Sequence, residues 1–194
     1  MPVALTNDIT GGIFMIYVFL ADGFEEIEAL TPVDYLRRCE LEVKVVGVTG
    51  VVVKSSHGIR VMPDVLLSHM DLNAADMIIL PGGMPGTLNL EQSQAVQDAV
   101  DFCARHDRWI GAICAAPSIL GHKGLLDGKT ATCYPGFEAQ MGNAKLAEQP
   151  GVYVDGKIIT ATSVHFAEQF AFTLGECLLG SARMDLLKSA VVYR

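Results

Sequence analysis

Short apolar runs that alternate with helix-spaced segments constrain this chain more than any other feature of its sequence. Met15–Leu20 is a continuous apolar run, long enough for a buried strand and too short for a core helix. Glu26–Arg38 follows with helical spacing, and Pro32 predicts a kink or break inside it. Glu42–Val48, Met77–Leu80, Trp109–Ile113 and Lys129–Cys133 read as further strands. Ser93–Arg105 sets Ala95, Val96, Ala99, Val100 and Cys103 on one helical face. Ala115–Leu120 reads as a short helix and Val164–Leu179 as a long amphipathic one. Two hairpins are expected, Val51–Val53 with Ile59–Met62 and Val152–Val154 with Ile158–Ala161; the second surrounds the turn Asp155-Gly156.

Alternation of this kind folds as an α/β domain, a doubly wound and mostly parallel sheet with helices on both faces. The chain of 194 residues suits one domain with a proper core. Its hydrophobic share of 51% contains little aromatic residue (7%) and comes with 19 glycines, the mix expected of strands buried on both faces. Residues 15–194 are therefore expected to form a single domain. Met1–Phe14 reads as an N-terminal extension, because it lacks the basic start of a secretory leader and carries Asp8. No apolar run is long enough to span a bilayer.

The formal charge of −8 argues against a nucleic-acid partner, which needs basic stripes, and against an anionic membrane face. The five cysteines, Cys39, Cys103, Cys114, Cys133 and Cys177, are odd in number, widely spaced and form no CxxC pair. They suggest a reducing compartment, and a cytoplasmic location is expected. The histidines form no HExxH or other tight ligand pair, so neither a metal nor a cofactor is expected.

In open sheets of this class, ligands bind beyond the carboxyl ends of the strands. Three segments fall there: Asp22 to Glu28, Pro81 to Thr87 and Cys114 to Ser118. Cys114 sits where a strand turns into a helix, a place where helix N–H groups favour a thiolate; it is a reactive nucleophile or a small core residue. Glu25, Glu26 and Glu28 open a helix and either complement its dipole or, for Glu28, meet the strand ends as a buried carboxyl kept protonated. Gly82-Gly83 form a turn or offer a backbone N–H to an oxyanion. Glu25, Tyr134 and His165 are possible pocket residues, with dipole-complementing, half-buried or surface roles as the alternatives. A protonated Glu28 donating to the sulfur would depress the Cys114 thiol.

The stretches Ala21-Asp-Gly-Phe-Glu-Glu-Ile-Glu28, Thr31-Pro-Val-Asp34, Leu80-Pro-Gly-Gly83 and Gly111-Ala-Ile-Cys-Ala-Ala-Pro117 together resemble the ThiJ/PfpI superfamily, most of all its DJ-one-like branch. The resemblance covers roughly Met15 to Gly180. It implies a flavodoxin-like fold, Cys114 as the elbow cysteine, Glu28 as the carboxyl touching its sulfur, and the N–H groups of Gly83 and Ala115 as oxyanion donors. It also implies a homodimer, with Asp34 and the first helix near the two-fold contact. Members of the superfamily include glyoxalases that need no glutathione, proposed deglycases, redox sensors, chaperones and proteases.

Protease-like members carry His directly after the cysteine; Ala115 stands there, which argues against proteolysis. Tyr134 stands where many DJ-one-like members have His. Thr162-Ser163-Val164-His165 replaces that branch's Arg-Gly-Pro-Gly loop. The resulting expectation is a cofactor-free cysteine enzyme acting on small reactive carbonyls through Cys114 and Glu28. The alternative is a non-enzymatic stress sensor or chaperone whose Cys114 is oxidised.

Overall fold

The computed structural model describes residues 14–193. The expected extension therefore lies, apart from Phe14, outside the described residues. In chain order the main elements are β1 (Met15–Leu20), α1 (Glu26–Arg38), β2 (Glu42–Gly47), β3 (Val53–Lys54), β4 (Arg60–Val61), β5 (Val65–Leu66), β6 (Ala75–Leu80), α2 (Gly86–Gln92), α3 (Gln94–Arg105), β7 (Trp109–Ile113), α4 (Pro117–His122), β8 (Thr130–Ala131), β9 (Lys145–Leu146), β10 (Val152–Asp155), β11 (Ile158–Ala161), α5 (Ala167–Leu179) and α6 (Ser181–Ala190).

The main sheet runs β10-β11-β7-β6-β1-β2-β5. All its pairings are parallel except β10 with β11, which form the expected hairpin. Successive residues of β1 point to opposite faces, as the strand period requires. Ile16, Val18 and Leu20 pack with residues of α1, α5 and α6. Tyr17 and Phe19 pack with α3 and α4. Each fully buried aliphatic or aromatic side chain contributes roughly 1.5–3 kcal/mol, and five of the six residues of β1 are buried. That double burial explains why the strand reads as an unbroken apolar run.

The chain leaves β1 toward β2 and β5 on one side and returns to β6 on the other. The direction of winding thus switches between β1 and β6, which opens a crevice at their carboxyl ends.

Several local expectations are corrected. Helix α1 runs unbroken through Pro32, which withholds only the hydrogen bond to the Glu28 carbonyl. Ala95 is exposed, so the buried face of α3 is Val96, Ala99, Val100 and Cys103. The strand expected at Lys129–Cys133 shrinks to Thr130–Ala131 and pairs with β9 outside the main sheet. The long last helix is preceded by a 3-10 turn at Val164–Phe166. Helices α2 and α6 had no distinct pattern in the sequence.

Candidate active site

Cys114 is the first residue beyond β7, and its φ of 65° is left-handed, which a side chain adopts at a cost of roughly 1–2 kcal/mol. The surroundings enforce it. The Cys114 N–H donates to the Ala161 carbonyl (2.9 Å), and the Cys114 carbonyl accepts from the Tyr134 N–H (2.7 Å). Both peptide groups are pinned to other segments, so the side chain has one direction to take. The strain persists because these two hydrogen bonds over-determine the backbone at this position.

Glu28 approaches from α1. Its residue is only 1% exposed. Glu25 caps that helix, accepting the Glu28 N–H at 2.8 Å. The Glu28 Oε2 accepts the Gly82 N–H at 3.0 Å, while Oε1 is buried and, among the described residues, has no hydrogen-bond partner. A Cβ on Gly82 would stand 2.6 Å from the Cys114 Cβ and 2.7 Å from the Glu28 Oε2, so acid and thiol meet because that residue is glycine. Gly83 has φ +90°, and a Cβ there would lie 2.4 Å from the Glu25 nitrogen. The loops after β1, β6 and β7 thus close on one point, as the strand ends implied.

Burial pushes the Glu28 carboxyl up to about 7; Glu25 adds to the rise, and the Cys114 thiol and Gly82 N–H oppose it. Burial also pushes the Cys114 thiol up to about 12, reinforced by the charge and hydrogen bond of Glu28 and opposed by the Ala115 and Gly83 N–H groups. The expectation of a depressed thiol is therefore corrected. Desolvation and an ionised neighbour outweigh two backbone donors. The pocket tolerates one negative charge, not two, so acid and thiol titrate as a pair.

The expected site residues divide cleanly. Gly83 and Ala115 present their N–H groups to the sulfur. Glu25 acts as a helix cap and a nearby charge. Tyr134 holds the elbow through its backbone, with its residue 46% exposed. His165 is exposed, with its ring edge-on to Phe166, and among the described residues no hydrogen bond ties it to Cys114. All five cysteines are free.

One cluster escaped sequence reading. Glu26 is buried, and its Oε2 meets His57 Nδ1 at 3.1 Å and Ser56 Oγ at 3.4 Å. With Glu25 these side chains bring three ligand-type atoms within 4.8 Å of one another. Glu26 and His57 already satisfy each other, and their separation in sequence left no local signal.

Residues 15–176 match the DJ-1/PfpI family. Protein DJ-1 homolog B of Arabidopsis thaliana is 37% identical over 90% of this chain, which spans 40% of that relative's length. Protein dj-1beta of Drosophila melanogaster is 34% identical over 87% of this chain and 91% of its own. The structure of oxidized DJ-1 from Toxoplasma gondii superposes with a TM-score of 0.88 at 34% identity, covering 93% of this chain and 98% of that one. The sheet, the elbow and these matches lead to one conclusion: the chain belongs to the DJ-1/PfpI family.

Proposed function

We propose that the protein is a cofactor-free, cysteine-dependent enzyme converting small 2-oxoaldehydes to 2-hydroxy acids. The observation that carries this reading is a buried carboxyl raised to about 7 against a strained elbow thiol. An acid that titrates near neutral pH suits proton transfer in either direction. Relatives supply further support: glutathione-independent glyoxalase DJR-1.2 of Caenorhabditis elegans is 31% identical over 84% of this chain, and a deglycase of Pyrococcus abyssi is 30% identical over 75%.

In the reaction, Glu28 takes the thiol proton as the sulfur of Cys114 bonds to the aldehyde carbon. The carbonyl electron pair moves to oxygen, where the Gly83 and Ala115 N–H groups stabilise it, and Glu28 passes the thiol proton on to that oxygen to complete the hemithioacetal. Glu28, ionised again, takes the proton from the former aldehyde carbon and returns it to the neighbouring ketone carbon, while the hemithioacetal hydroxyl proton passes to the former ketone oxygen. The product is a 2-hydroxy thioester, with no net change in redox state. Water cleaves the carbon–sulfur bond, releasing the hydroxy acid and the free thiol.

Methylglyoxal should give lactate without added glutathione, nicotinamide or metal. Cys114→Ser should reduce the rate by on the order of a thousandfold or more. Equal rates in the two proteins would discard the enzyme reading.

A sensor reading shares the same sulfur and draws on the oxidized state of the Toxoplasma relative. Two equivalents of peroxide would convert the thiol to a sulfinic acid through a sulfenic acid, releasing one water at each step. The unpartnered Glu28 Oε1 would then carry a proton toward a sulfinate oxygen. Peroxide-dependent mass gain at Cys114 in a protein without turnover would select it.

We further propose a homodimer in the cytoplasm. Free cysteines suit a reducing compartment. Ile27 on α1 and Val51, Ile59 and Met62 around the β3–β4 hairpin expose 50–79% of their surface, apolar side chains that a second copy would cover. Light scattering should give twice the chain mass, and Met62→Lys should shift the mass toward one chain.

A further inference from the structure

We propose that the protein carries a second, non-catalytic site that binds a phosphate group, in the cavity at the amino end of β7. Ile110 is the last residue of β7 to line this cavity, and Cys114 lies four residues further on, roughly 13 Å along the strand. Its volume is about 240 Å³, and Arg108, Lys129 and Lys157 line it together with Ala104, Asp107 and Leu125. A single ordered water takes roughly 30 Å³, so the cavity admits a larger guest. Three of the chain's fourteen lysines and arginines gather here, although the net charge is −8.

These cations are incompletely satisfied. The Arg108 Nη1 pairs with the Asp76 Oδ1 at 2.8 Å, yet its Nε is buried and, among the described residues, has no hydrogen-bond partner. A buried donor left unpaired is costly, and in a native fold it marks a place for a water or an ion. The Lys129 Nζ stands 3.7 Å from the Asp155 Oδ1, beyond hydrogen-bonding reach. The Lys157 Nζ lies 4.3 Å above the Trp109 ring, and among the described residues it pairs with no carboxylate.

Asp76 and Asp155 each turn one oxygen to a cation of the cavity and the other to a backbone N–H. The Asp76 Oδ2 accepts the Met15 N–H, and the Asp155 Oδ2 accepts the Thr130 N–H. Asp107 lines the cavity and opposes an anion, so the guest must bring enough charge to outweigh it. A carboxylate carries one charge and matches a single planar fork. A phosphate carries about two charges and tetrahedral oxygens, and accepts from donors in three directions. The lining therefore favours phosphate.

Titration of isotope-labelled protein at constant ionic strength, followed by amide chemical shifts, tests the site. The probes are inorganic phosphate, glycerol 3-phosphate and lactate. Saturable shifts are expected at Arg108, Gly156 and Lys157 but not at Gly83 and Ala115. Arg108→Lys keeps the pairing charge for Asp76 but removes the unpaired Nε. It and Lys157→Ala should each weaken phosphate binding about tenfold or more, with shifts elsewhere in the spectrum unchanged to certify folding. Tighter binding of the ester would support a phosphorylated metabolite as ligand, and equal binding would support the free ion. Absence of saturation, equal affinity in the variants, lactate binding as tightly as phosphate, or shifts confined to the Cys114 loops would each overturn the proposal.

Discussion

Cys103, inside α3, and Cys114, on the elbow after β7, are both pushed up to about 12, and burial is the first cause in each. Their neighbours differ. Cys103 is fully buried among the side chains of one sheet face, and among the described residues Arg108 is the charge that acts on it. Cys114 is half-buried, bent into a left-handed backbone and set against Glu28. Burial by itself gives an inert thiol. Burial beside an acid that titrates near neutral pH gives a thiol whose proton has somewhere to go.

The largest effect should come from exchanging sulfur for oxygen at the two positions. Cys114→Ser is expected to abolish methylglyoxal turnover while leaving the fold intact. Cys103→Ser should leave turnover in place and instead cost about 1–3 kcal/mol of stability, because a hydroxyl replaces a thiol in an apolar interior. Initial rates and urea midpoints of the two variants decide. Loss of turnover in both with stability unchanged would erase the contrast.

Glu28→Gln is next in size. General acid–base assistance is worth about 10²–10⁴ in rate, and glutamine supplies none. The same change removes a negative charge beside Cys114, so the thiol pKa should fall, as thiolate absorbance against pH would record. Cys103 should titrate as before. An unchanged or higher thiol pKa would mean that Glu28 already holds the proton in the native site and donates it to the sulfur.

Stability should carry the imprint of the same acid. The Glu28 carboxyl is raised from 4.5 to about 7, so the folded protein binds a proton there that the unfolded chain has released. The stability associated with neutral Glu28 is complete below about pH 4.5 and is lost as pH rises through about 7. Glu28→Gln escapes this loss. Relative to wild type it should gain about 2–3 kcal/mol between pH 4.5 and 8. Urea denaturation at both pH values measures it, and a constant difference would place the carboxyl in a wetter setting.

Most of the frame was legible because it depends on apolar periodicity. Met15–Leu20 and Trp109–Ile113 begin and end where their sequence runs do. The hairpin signalled by Asp155-Gly156 forms, with the turn itself at Gly156-Lys157 because Asp155 still pairs with Ile158. The elbow was legible from the abrupt change at Cys114, and the family motifs pointed to Glu28. What escaped depends on contacts between distant residues. Glu26 and His57 are 31 positions apart. The sign of the thiol shift follows from how dry the pocket is, which no local pattern records. The cations of the distal cavity come from three separate connections and converge only once β7 and β11 pair.

The smallest effect is expected at Tyr134, the neighbour that connects the elbow to the rest of the fold. Two parts of this residue could matter, and they separate under substitution. Its backbone N–H donates to the Cys114 carbonyl at 2.7 Å and helps to enforce the left-handed φ. Its side chain belongs to an exposed residue, and among the described residues the phenol makes no hydrogen bond to the thiol or to Glu28. Tyr134→Phe keeps the N–H and removes only the hydroxyl. Stability should therefore change by no more than about 0.5 kcal/mol, and turnover by less than about threefold, which corresponds to a barrier change well under 1 kcal/mol. Tyr134→Pro removes the backbone donor and should lower turnover much further by releasing the elbow. A large loss in Tyr134→Phe, with the urea midpoint preserved, would instead put the hydroxyl in contact with substrate and make this position a determinant of which carbonyl compound enters.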